Sequence, residues 1–435
     1  MAGKADNLLL TDAAKGAPAG EVLRRFWQPA ALVEEFRESR PLVPVNLMGE
    51  KLVLFRDEKG RYGLLDRHCA HRGADLCYGR LEDGGLRCAF HGWLYDVEGR
   101  CLEQPAEPPD SARHTLVRQN AYPCVARNGI VFAYLGPGEP PRLPDFDCFI
   151  AADENTFAFK GLWECNWLQA LEVGIDPAHA SYLHRFFEDE DIETSYGRQF
   201  RAGAAGSGRP LTQILREHDR PAIDVEHTDY GFRIITTRDL DREQRHYRIT
   251  NLIVPNAIAI PMSDDMTITQ WHVPVDNENC YWYSIFTSFK GPVNKARMRE
   301  QRLESHTLPD YRPRKNKRNH YGFNPDEQAN LTYTGMGPDI NVHDQWAVES
   351  MGPVQDRTKE HLGKTDIAIM ENRRLLRKMA AALKDNDNLP YTGIAAGSPG
   401  MTGPVAIDAI GGADDRDCWK EADLERRRQA EWGGG

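Results

Sequence analysis

Two short segments of the chain each combine a cysteine with a histidine, and they constrain the fold more than any other feature. Cys69-Ala-His71 is followed, after sixteen intervening residues, by Cys88-Ala-Phe-His91. Thiolates and imidazoles are metal ligands, and one centre can use all four only if the two segments meet in space. We therefore expect this region to form two similar hairpins whose tips lie side by side.

The order of these four side chains favours two irons over one zinc. Two cysteines and two histidines can hold tetrahedral zinc, but zinc fingers group the cysteines together and the histidines together. Here each segment offers one of each, which favours a Rieske-type [2Fe-2S] cluster with Cys69 and Cys88 on one iron and His71 and His91 on the other. The alternatives are a zinc site and a chance pairing of buried core cysteines with nearby histidines.

The segments around this motif predict a small antiparallel β domain. After Pro41, short β-branched and aromatic runs alternate with turn signals at 58–60 and 82–85. These runs cover 43–48, 51–55, 62–65, 86–91 and 130–135. A short amphipathic helix is predicted over 18–27. Because 136–145 is dense in proline and glycine, we place a domain boundary near residue 150, with an N-terminal domain over 1–150 and its cluster region at about 41–136.

The second domain, 151–435, mixes helical and strand-like patterns. Helical periodicity appears at 163–175 and 366–384, and strand-like runs lie at 232–238, 246–260, 267–273 and 281–288. This pattern predicts an antiparallel sheet with flanking helices. The fold class is therefore α+β. The low-complexity stretch at 202–208 is expected to be a loop.

Composition and charge exclude several classes of protein. The 435 residues are 40% hydrophobic and 27% charged, and no apolar run approaches the ~18 residues that a membrane helix needs. The start of the chain lacks the apolar core of a secretory signal, so we expect a cytoplasmic protein. With 65 acidic against 54 basic residues the net charge is −11, which argues against nucleic-acid binding despite the basic run at 312–318. Nine cysteines, an odd number, argue against a disulfide framework.

A second group of candidate ligands lies at Asp176-Pro-Ala-His179-Ala-Ser-Tyr-Leu-His184. Two histidines and a distant carboxylate form the facial triad of non-haem Fe(II) oxygenases, which leaves metal positions open for oxygen and substrate. His179 and His184 are five residues apart, which a regular helix would separate by ~140° around its axis. The helix must therefore distort or end between them. Alternatively, Asp176-Pro177 is an ordinary helix start and the histidines are surface residues.

Residues 66–95 resemble the Rieske domain of the aromatic-ring-hydroxylating oxygenases. The likeness extends to 16–30, 44–66 and 166–184, and it points to the terminal oxygenase alpha subunits of the phthalate dioxygenase-like group. Respiratory Rieske proteins match less well, because they add two cysteines and a serine where this chain has Ala74, Phe90 and Trp93. A cluster of lower potential is therefore expected.

The resemblance implies roles for further residues. It places the third iron ligand at Asp344, with Glu349 and Asp366 as rivals. It implies that Asp176 is not a ligand but hydrogen-bonds a metal histidine and, across a subunit boundary, a cluster histidine of the neighbouring chain. The family usually has asparagine where this chain has Glu172, so the role of Glu172 stays open. Trimers, or stacked trimers, are the expected oligomer.

The resemblance also implies an oxidoreductase for the catabolism of aromatic compounds. Electrons would come from a separate NAD(P)H-dependent reductase, for which flavin and iron–sulfur groups are the candidate cofactors, since this chain has no dinucleotide-binding motif. The expected reaction is ring dioxygenation of a phthalate-like aromatic acid by O2, and the alternative is a monooxygenase or O-demethylase. Two alternatives belong to other functional classes. One is an electron-transfer Rieske protein without oxygenase activity, and the other is a zinc-binding interaction module.

An aromatic acid calls for a guanidinium that grips its carboxylate through two parallel hydrogen bonds. Arg248 is the candidate by its position in a predicted strand, and the alternative is that it simply pairs with an acidic residue. Arg201, Arg233 and Arg238 are weaker choices.

Overall fold

The described chain begins with two helices, continues with short strands, and then forms a large sheet and most of the helices. A computed structural model describes residues 3–37, 41–108, 110–188, 209–385, 389, 391, 403–430 and 432. The helices are α1 (Lys4–Thr11), α2 (Pro18–Arg24), α3 (Asp147–Ile150), α4 (Trp167–Gly174), α5 (Ala180–Leu183), α6 (Leu211–Glu217), α7 (Lys295–Ser305), α8 (Pro325–Asn330), α9 (Ile340–Ser350), α10 (Ile367–Lys384) and α11 (Cys418–Gln429). The strands are β1 (Gln28–Leu32), β2 (Leu42–Leu47), β3 (Glu50–Arg56), β4 (Tyr62–Asp66), β5 (Arg80–Glu82), β6 (Gly85–Arg87), β7 (Leu94–Tyr95), β8 (Cys101–Glu103), β9 (Ala121–Tyr122), β10 (Cys124–Arg127), β11 (Ile130–Ala133), β12 (Thr156–Trp163), β13 (Ala222–Thr228), β14 (Gly231–Asp239), β15 (Gln244–Ile253), β16 (Ala257–Ser263), β17 (Met266–Pro274), β18 (Cys280–Ser288), β19 (His306–Thr307), β20 (Arg312–Pro313) and β21 (Ile407–Gly412).

Two small antiparallel sheets carry the cysteine–histidine segments. One has the strand order β2-β3-β4-β9 and the other β5-β6-β7-β8. The first segment lies between β4 and β5, and the second between β6 and β7. A separate apolar core that includes Val53, Phe55, Leu65 and Leu86 supports both loops. The predicted antiparallel β domain is confirmed, although the run at 86–91 is strand only as far as Arg87, because its remaining residues turn to form the second loop.

The second half is built on an antiparallel sheet of eight strands within the described residues. Its order is β12-β18-β17-β16-β15-β14-β13, and β21 pairs with β15. β15 meets β16 at 251–253 and β21 over 244–249, so the sheet divides along this strand. The strand predicted over 246–260 is therefore two strands with a turn between them. The α+β fold class is confirmed.

One apolar core runs from the N-terminal helices to the large sheet. It joins Leu10 of α1 to Phe132 of β11, Trp167 of α4 and Phe286 of β18. The domain boundary near residue 150 stays a prediction, and the hydrophobic packing itself continues across it. Burial of these large side chains is the main stabilising contribution to such an arrangement.

The helix that leads to the second ligand group begins later than predicted. Trp163 ends β12, and α4 starts at Trp167 because the Asn166 side chain accepts a hydrogen bond from the N–H of Leu168, at 3.1 Å. Among the described helices, none is both long enough and apolar enough to cross a bilayer. The predicted loop at 202–208 lies outside the described residues.

Candidate functional site

The two cysteine–histidine loops share one backbone geometry. The N–H of Cys69 donates to the carbonyl of Ala74 at 2.8 Å, and the N–H of Cys88 donates to that of Trp93 at 2.8 Å. Each cysteine carbonyl then accepts from a glycine four residues later, and both glycines, at 73 and 92, have a φ of +77°. Glycine suits these positions because other residues rarely adopt this conformation. Two matching loops thus present their ligands toward each other.

The cysteines of both loops are buried, and the buried Nδ1 atoms of the two histidines lack hydrogen-bond partners in the described structure. Cys69 and Cys88 are each 3% exposed. The Nδ1 atoms of His71 and His91 are buried with no hydrogen-bond partner in the described structure, and the two ring centroids lie 4.5 Å apart. Buried polar atoms normally have a partner, so this donor set fits a metal cluster between the loops. Burial raises the pKa of the Cys88 thiol, so metal binding there must displace a proton.

Two aromatic side chains complete the surroundings of the loops. Trp93 stacks on His71 with centroids 4.3 Å apart and planes inclined by 9°. The hydroxyl of buried Tyr95 lies 3.2 Å from the Cys69 sulfur. Burial and the nearby cysteines raise the pKa of Tyr95, so its hydroxyl stays protonated and donates when Cys69 is a thiolate. Hydrogen bonds to cluster sulfurs raise the reduction potential of such centres. In the sequence, Trp93 and Tyr95 follow His91 closely, and this proximity is the signal that could have identified them as neighbours of the cluster.

The second group brings three potential ligand atoms together. Nε2 of His179 lies 3.2 Å from Nε2 of His184. Oδ1 of Asp344 lies 3.2 Å from the His184 nitrogen and 3.7 Å from the His179 nitrogen. Donors on one face of an octahedron with bonds of about 2.1 Å lie roughly 3 Å apart. The arrangement therefore fits a facial set of three ligands for one metal ion.

The two histidines converge because the helix between them is a single short turn. α5 covers only Ala180–Leu183, and His184 departs from helical geometry with φ −105° and ψ 23°. This break is the local change that the five-residue spacing required. It turns the His184 ring back toward His179, and the ring centroids lie 5.0 Å apart.

Asp344, not its rivals, meets the histidines. Its Oδ1 is buried without a hydrogen-bond partner in the described structure, and burial raises the pKa of Asp344 to about 6. A bound cation would reverse this effect by favouring the charged carboxylate. Glu349 is already engaged with the Glu164 N–H at 2.9 Å and the Tyr321 hydroxyl at 2.8 Å. Asp366 accepts from the N–H of Gly363 at 2.6 Å.

The other ring nitrogens of the histidines also have partners. Nδ1 of His179 contacts the carbonyl of Asp176. Nδ1 of His184 lies 3.4 Å from Nδ1 of His343, a buried residue that the sequence analysis did not single out. His343 directly precedes Asp344, yet nothing in the local sequence pattern marks it as a partner of a residue 159 positions away. Both histidines therefore present Nε2 to the centre.

Asp176 and Glu172 hold the segment that precedes the histidines. Asp176 Oδ1 accepts from the N–H groups of Ala178 at 2.8 Å and His179 at 3.3 Å, so the side chain closes the turn into α5. Glu172 is buried and accepts from Arg357 at 2.9 Å and from Arg373 at 2.6 and 2.8 Å. The open question about Glu172 thus has a structural answer, since it pairs with two arginines.

The candidate arginines lie on different faces of the large sheet. Arg248 donates to Asp408 at 2.5 Å and to the carbonyl of Pro261 at 3.0 Å, so it does pair with an acid. Its role in substrate binding stays a prediction. Arg233 stacks over Trp419 at 4.9 Å and bonds Glu226. Arg201 lies outside the described residues.

Arg238 has the environment expected of an anion-binding guanidinium. It is 1% exposed and forms no ion pair within the described residues. Its Nη1 is buried without a partner, while Nε donates to the carbonyl of His218 at 3.1 Å. Its Nη2 lies 3.4 Å from the carbonyl of Pro177, two residues before His179. Burial lowers the pKa of Arg238 to about 10, so it remains charged at neutral pH.

Comparisons with known proteins bear on both ligand groups. The Rieske [2Fe-2S] domain family matches residues 26–123, and the family described as LigXa C-terminal domain like matches residues 133–410. The chain is 32% identical to the phthalate 4,5-dioxygenase oxygenase subunit of Pseudomonas putida over 89% of this chain and 88% of that one.

The chain belongs to the Rieske oxygenase family.

Further relatives support this assignment. The 5,5'-dehydrodivanillate O-demethylase oxygenase subunit of Sphingobium sp. is 33% identical over 86% of this chain and 79% of its own length. Dicamba monooxygenase bound to dicamba shares the fold at a TM-score of 0.57 and 18% identity, over 83% of this chain and 99% of that one. As a Rieske oxygenase, the chain is an oxidoreductase whose cofactors are a [2Fe-2S] cluster and a mononuclear non-haem iron.

Replacement of a cluster thiolate gives a direct test of the first ligand group. Cys69→Ala or Cys88→Ala should remove the acid-labile sulfide and the red-brown colour of the purified oxygenase, and should lower its Tm, because the cluster ties two loops together. Cys148→Ala is the matched control, since it removes a buried thiol that packs in a different apolar core from Cys69 and Cys88. Sulfide analysis and visible absorption are the measurements, and full retention of both in Cys88→Ala would falsify the ligand set.

Proposed function

We propose that this Rieske oxygenase is the terminal component of a multicomponent system that hydroxylates an aromatic acid, as a ring dioxygenase. Two relatives, the phthalate 4,5-dioxygenase and 3-chlorobenzoate-3,4-dioxygenase subunits, are named for such reactions. The observation that carries the proposal is the three-ligand group beside a buried, unpaired guanidinium. An O-demethylase or monooxygenase is the second candidate, favoured by the name of the dehydrodivanillate relative.

The protein's contribution at the iron is to hold three ligands and leave one side open. His179, His184 and Asp344 would bind the iron, while Cys69, Cys88, His71 and His91 would bind the cluster. With both groups bound, the site would supply O2 activation at the iron and electron transfer by the cluster. The contacts at Nδ1 of both histidines keep Nε2 free for the metal, since a neutral imidazole carries its proton on one nitrogen only.

The substrate carboxylate would bind at Arg238, with Arg248 beside it. A buried charge without a partner is costly, so a guanidinium in this state favours an anionic ligand. Arg238 and Arg248 lie on neighbouring strands, on the face that also carries Asp408, because Thr236 pairs with Arg248 and Arg248 with Asp408. The contact of Arg238 with the Pro177 carbonyl supports a carboxylate position close to the iron ligands.

Arginine-to-lysine substitutions test this part of the proposal. Arg238→Lys should raise KM for the aromatic acid about 10- to 100-fold, because an ammonium cannot reproduce the planar two-bond fork. Arg248→Lys should raise it as well, and Arg233→Lys, on the opposite face, should not. The uncharged amide of the same substrate should show no such penalty. Equal KM values for the acid in the wild type and the three variants would indicate that Arg238 and Arg248 have purely structural roles.

Ligand substitutions and product analysis test the reaction itself. His184→Ala and Asp344→Ala should keep the cluster absorbance but lose the additional iron and the oxygenation, since two protein ligands remain. Glu349→Gln is the control on the same helix and should retain iron.

Products of wild-type turnover on a panel of aromatic acids with isotope-labelled O2 should carry two labelled atoms. One labelled atom would favour the monooxygenase, and no substrate-dependent reductant use would favour an electron-transfer protein.

The surface at the cluster supports an assembly in which one chain serves the next. At the tip of the second ligand loop Phe90 is 57% exposed, and its ring contacts that of His91. Beside the iron ligands lies an open cavity of about 750 Å³, lined by Asp176, His179 and Trp346 among others. An apolar tip and an open cavity are complementary shapes for a head-to-tail ring, which in the family's trimers pairs a cluster with the iron of a neighbour. Asp176 would then bridge the pair.

Mixed oligomers test the ring. Chains with Cys69→Ala lack a cluster and chains with His184→Ala lack iron, so each is inactive alone. Mixed rings contain junctions between an intact cluster and an intact iron, and partial activity should return. Asp176→Ala on the chain with intact iron should abolish this rescue. Verified mixed oligomers without any activity would contradict transfer between subunits, and Asp176 would then be only the cap of α5.

A separate NAD(P)H-dependent reductase and a cytoplasmic location complete the proposal. None of the nine cysteines is in a disulfide, which is compatible with a reducing compartment.

A further inference from the structure

The protonation of His343 follows from its contact with a backbone carbonyl. His343 is fully buried on α9, and its Nε2 lies 2.7 Å from the carbonyl oxygen of Gly337. Because a carbonyl can only accept a hydrogen bond, Nε2 must carry the proton. A neutral imidazole carries its proton on one nitrogen only, so Nδ1 of His343 is an acceptor.

The carbonyl that orients His343 is itself held in place. The N–H of Gly337 donates to Glu327 at 2.6 Å, and the preceding carbonyl, of Met336, accepts from Lys315 at 2.8 Å. Gly337 has a φ of +87°, and an added Cβ would lie 2.5 Å from the Lys315 nitrogen. The loop before α9 is thus fixed from both sides, so the His343 ring has a defined orientation.

The acceptor nitrogen of His343 faces Nδ1 of His184, the ring nitrogen that does not point into the three-ligand centre. The two Nδ1 atoms lie 3.4 Å apart, the ring centroids 5.6 Å apart, and the ring planes are inclined by 26°. The two Nδ1 atoms are thus within hydrogen-bonding distance of each other. Since the His343 nitrogen accepts, the His184 nitrogen donates, which leaves Nε2 of His184 unprotonated and facing Asp344 at 3.2 Å.

We propose that His343 is a positioning residue for the iron ligand His184: it accepts a hydrogen bond from Nδ1–H of His184, fixes the tautomer and aims Nε2 at the metal. This inference rests on the proposed iron site. It also means that α9 controls two of the three ligands, Asp344 directly and His184 through His343. The partner of a ligating histidine typically affects metal affinity by 10- to 100-fold.

Two amide substitutions separate positioning from simple packing. The amide oxygen of asparagine lies near the place of histidine Nδ1, and the amide nitrogen of glutamine near that of Nε2. His343→Asn should therefore keep an acceptor for His184, whereas His343→Gln should keep only the donor to Gly337. The measurement is the Kd for ferrous iron under anaerobic conditions, from competition with a chelator, on oligomer with an intact cluster.

We expect His343→Leu and His343→Gln to weaken ferrous-iron binding about 10- to 100-fold and His343→Asn to restore most of it. His272→Leu, which removes another fully buried histidine, is the control and should bind iron like the wild type. Unchanged affinity in His343→Leu, or recovery by glutamine but not by asparagine, overturns the inference. If the leucine variant does not fold, the asparagine and glutamine pair still decides. Wild-type affinity in His184→Ala would instead show that the proposed iron site is wrong.

Discussion

The structure depends on bringing three ligand atoms from two distant segments within 3.7 Å of one another. His179 and His184 follow α4, while Asp344 lies on α9. Side chains hold these two helices together, since Gln169 on α4 donates to the carbonyls of Val348 and Gly352, each at 2.8 Å. An unmetallated centre of this kind contains the half-buried Asp344 carboxyl and the half-buried His179 imidazole, whose charged forms desolvation disfavours. A cation at the centre removes this cost, so the metal also stabilises the packing around it.

The second constraint is the buried group of charges behind α4. Glu172 accepts from Arg357 and Arg373, and Arg373 also pairs with Glu360. This network joins α4 to α10, and a further pair between Arg377 and Asp6 joins α10 to α1. Removal of one partner from a buried ion pair typically costs about 3–5 kcal/mol. Glu172 is therefore explained by support of the helix before the iron ligands, which accounts for its departure from the family's asparagine.

Arg238 shows how a stable scaffold can retain an unpaired charge. Arg248 is neutralised by Asp408 on β21, whereas Arg238 has only carbonyl contacts in the described structure. Such a charge destabilises the free protein, and a bound carboxylate would relieve that cost. In the proposed function, anion binding and proximity to the iron ligands would come from one residue, which contacts the loop that carries His179.

Much of this protein could be predicted from its sequence because its ligands occur in short local patterns. The two cysteine–histidine segments, the break required between His179 and His184, and the alternating strands all depend on neighbours along the chain. Asp344 required the resemblance to a family, because its rivals differ from it only in three dimensions. His343, Arg238 and the two arginines of Glu172 were decided by tertiary structure alone, since each acts on a partner more than 50 residues away in the chain. No local periodicity records such a contact, because it is created when the helices and the sheet pack together.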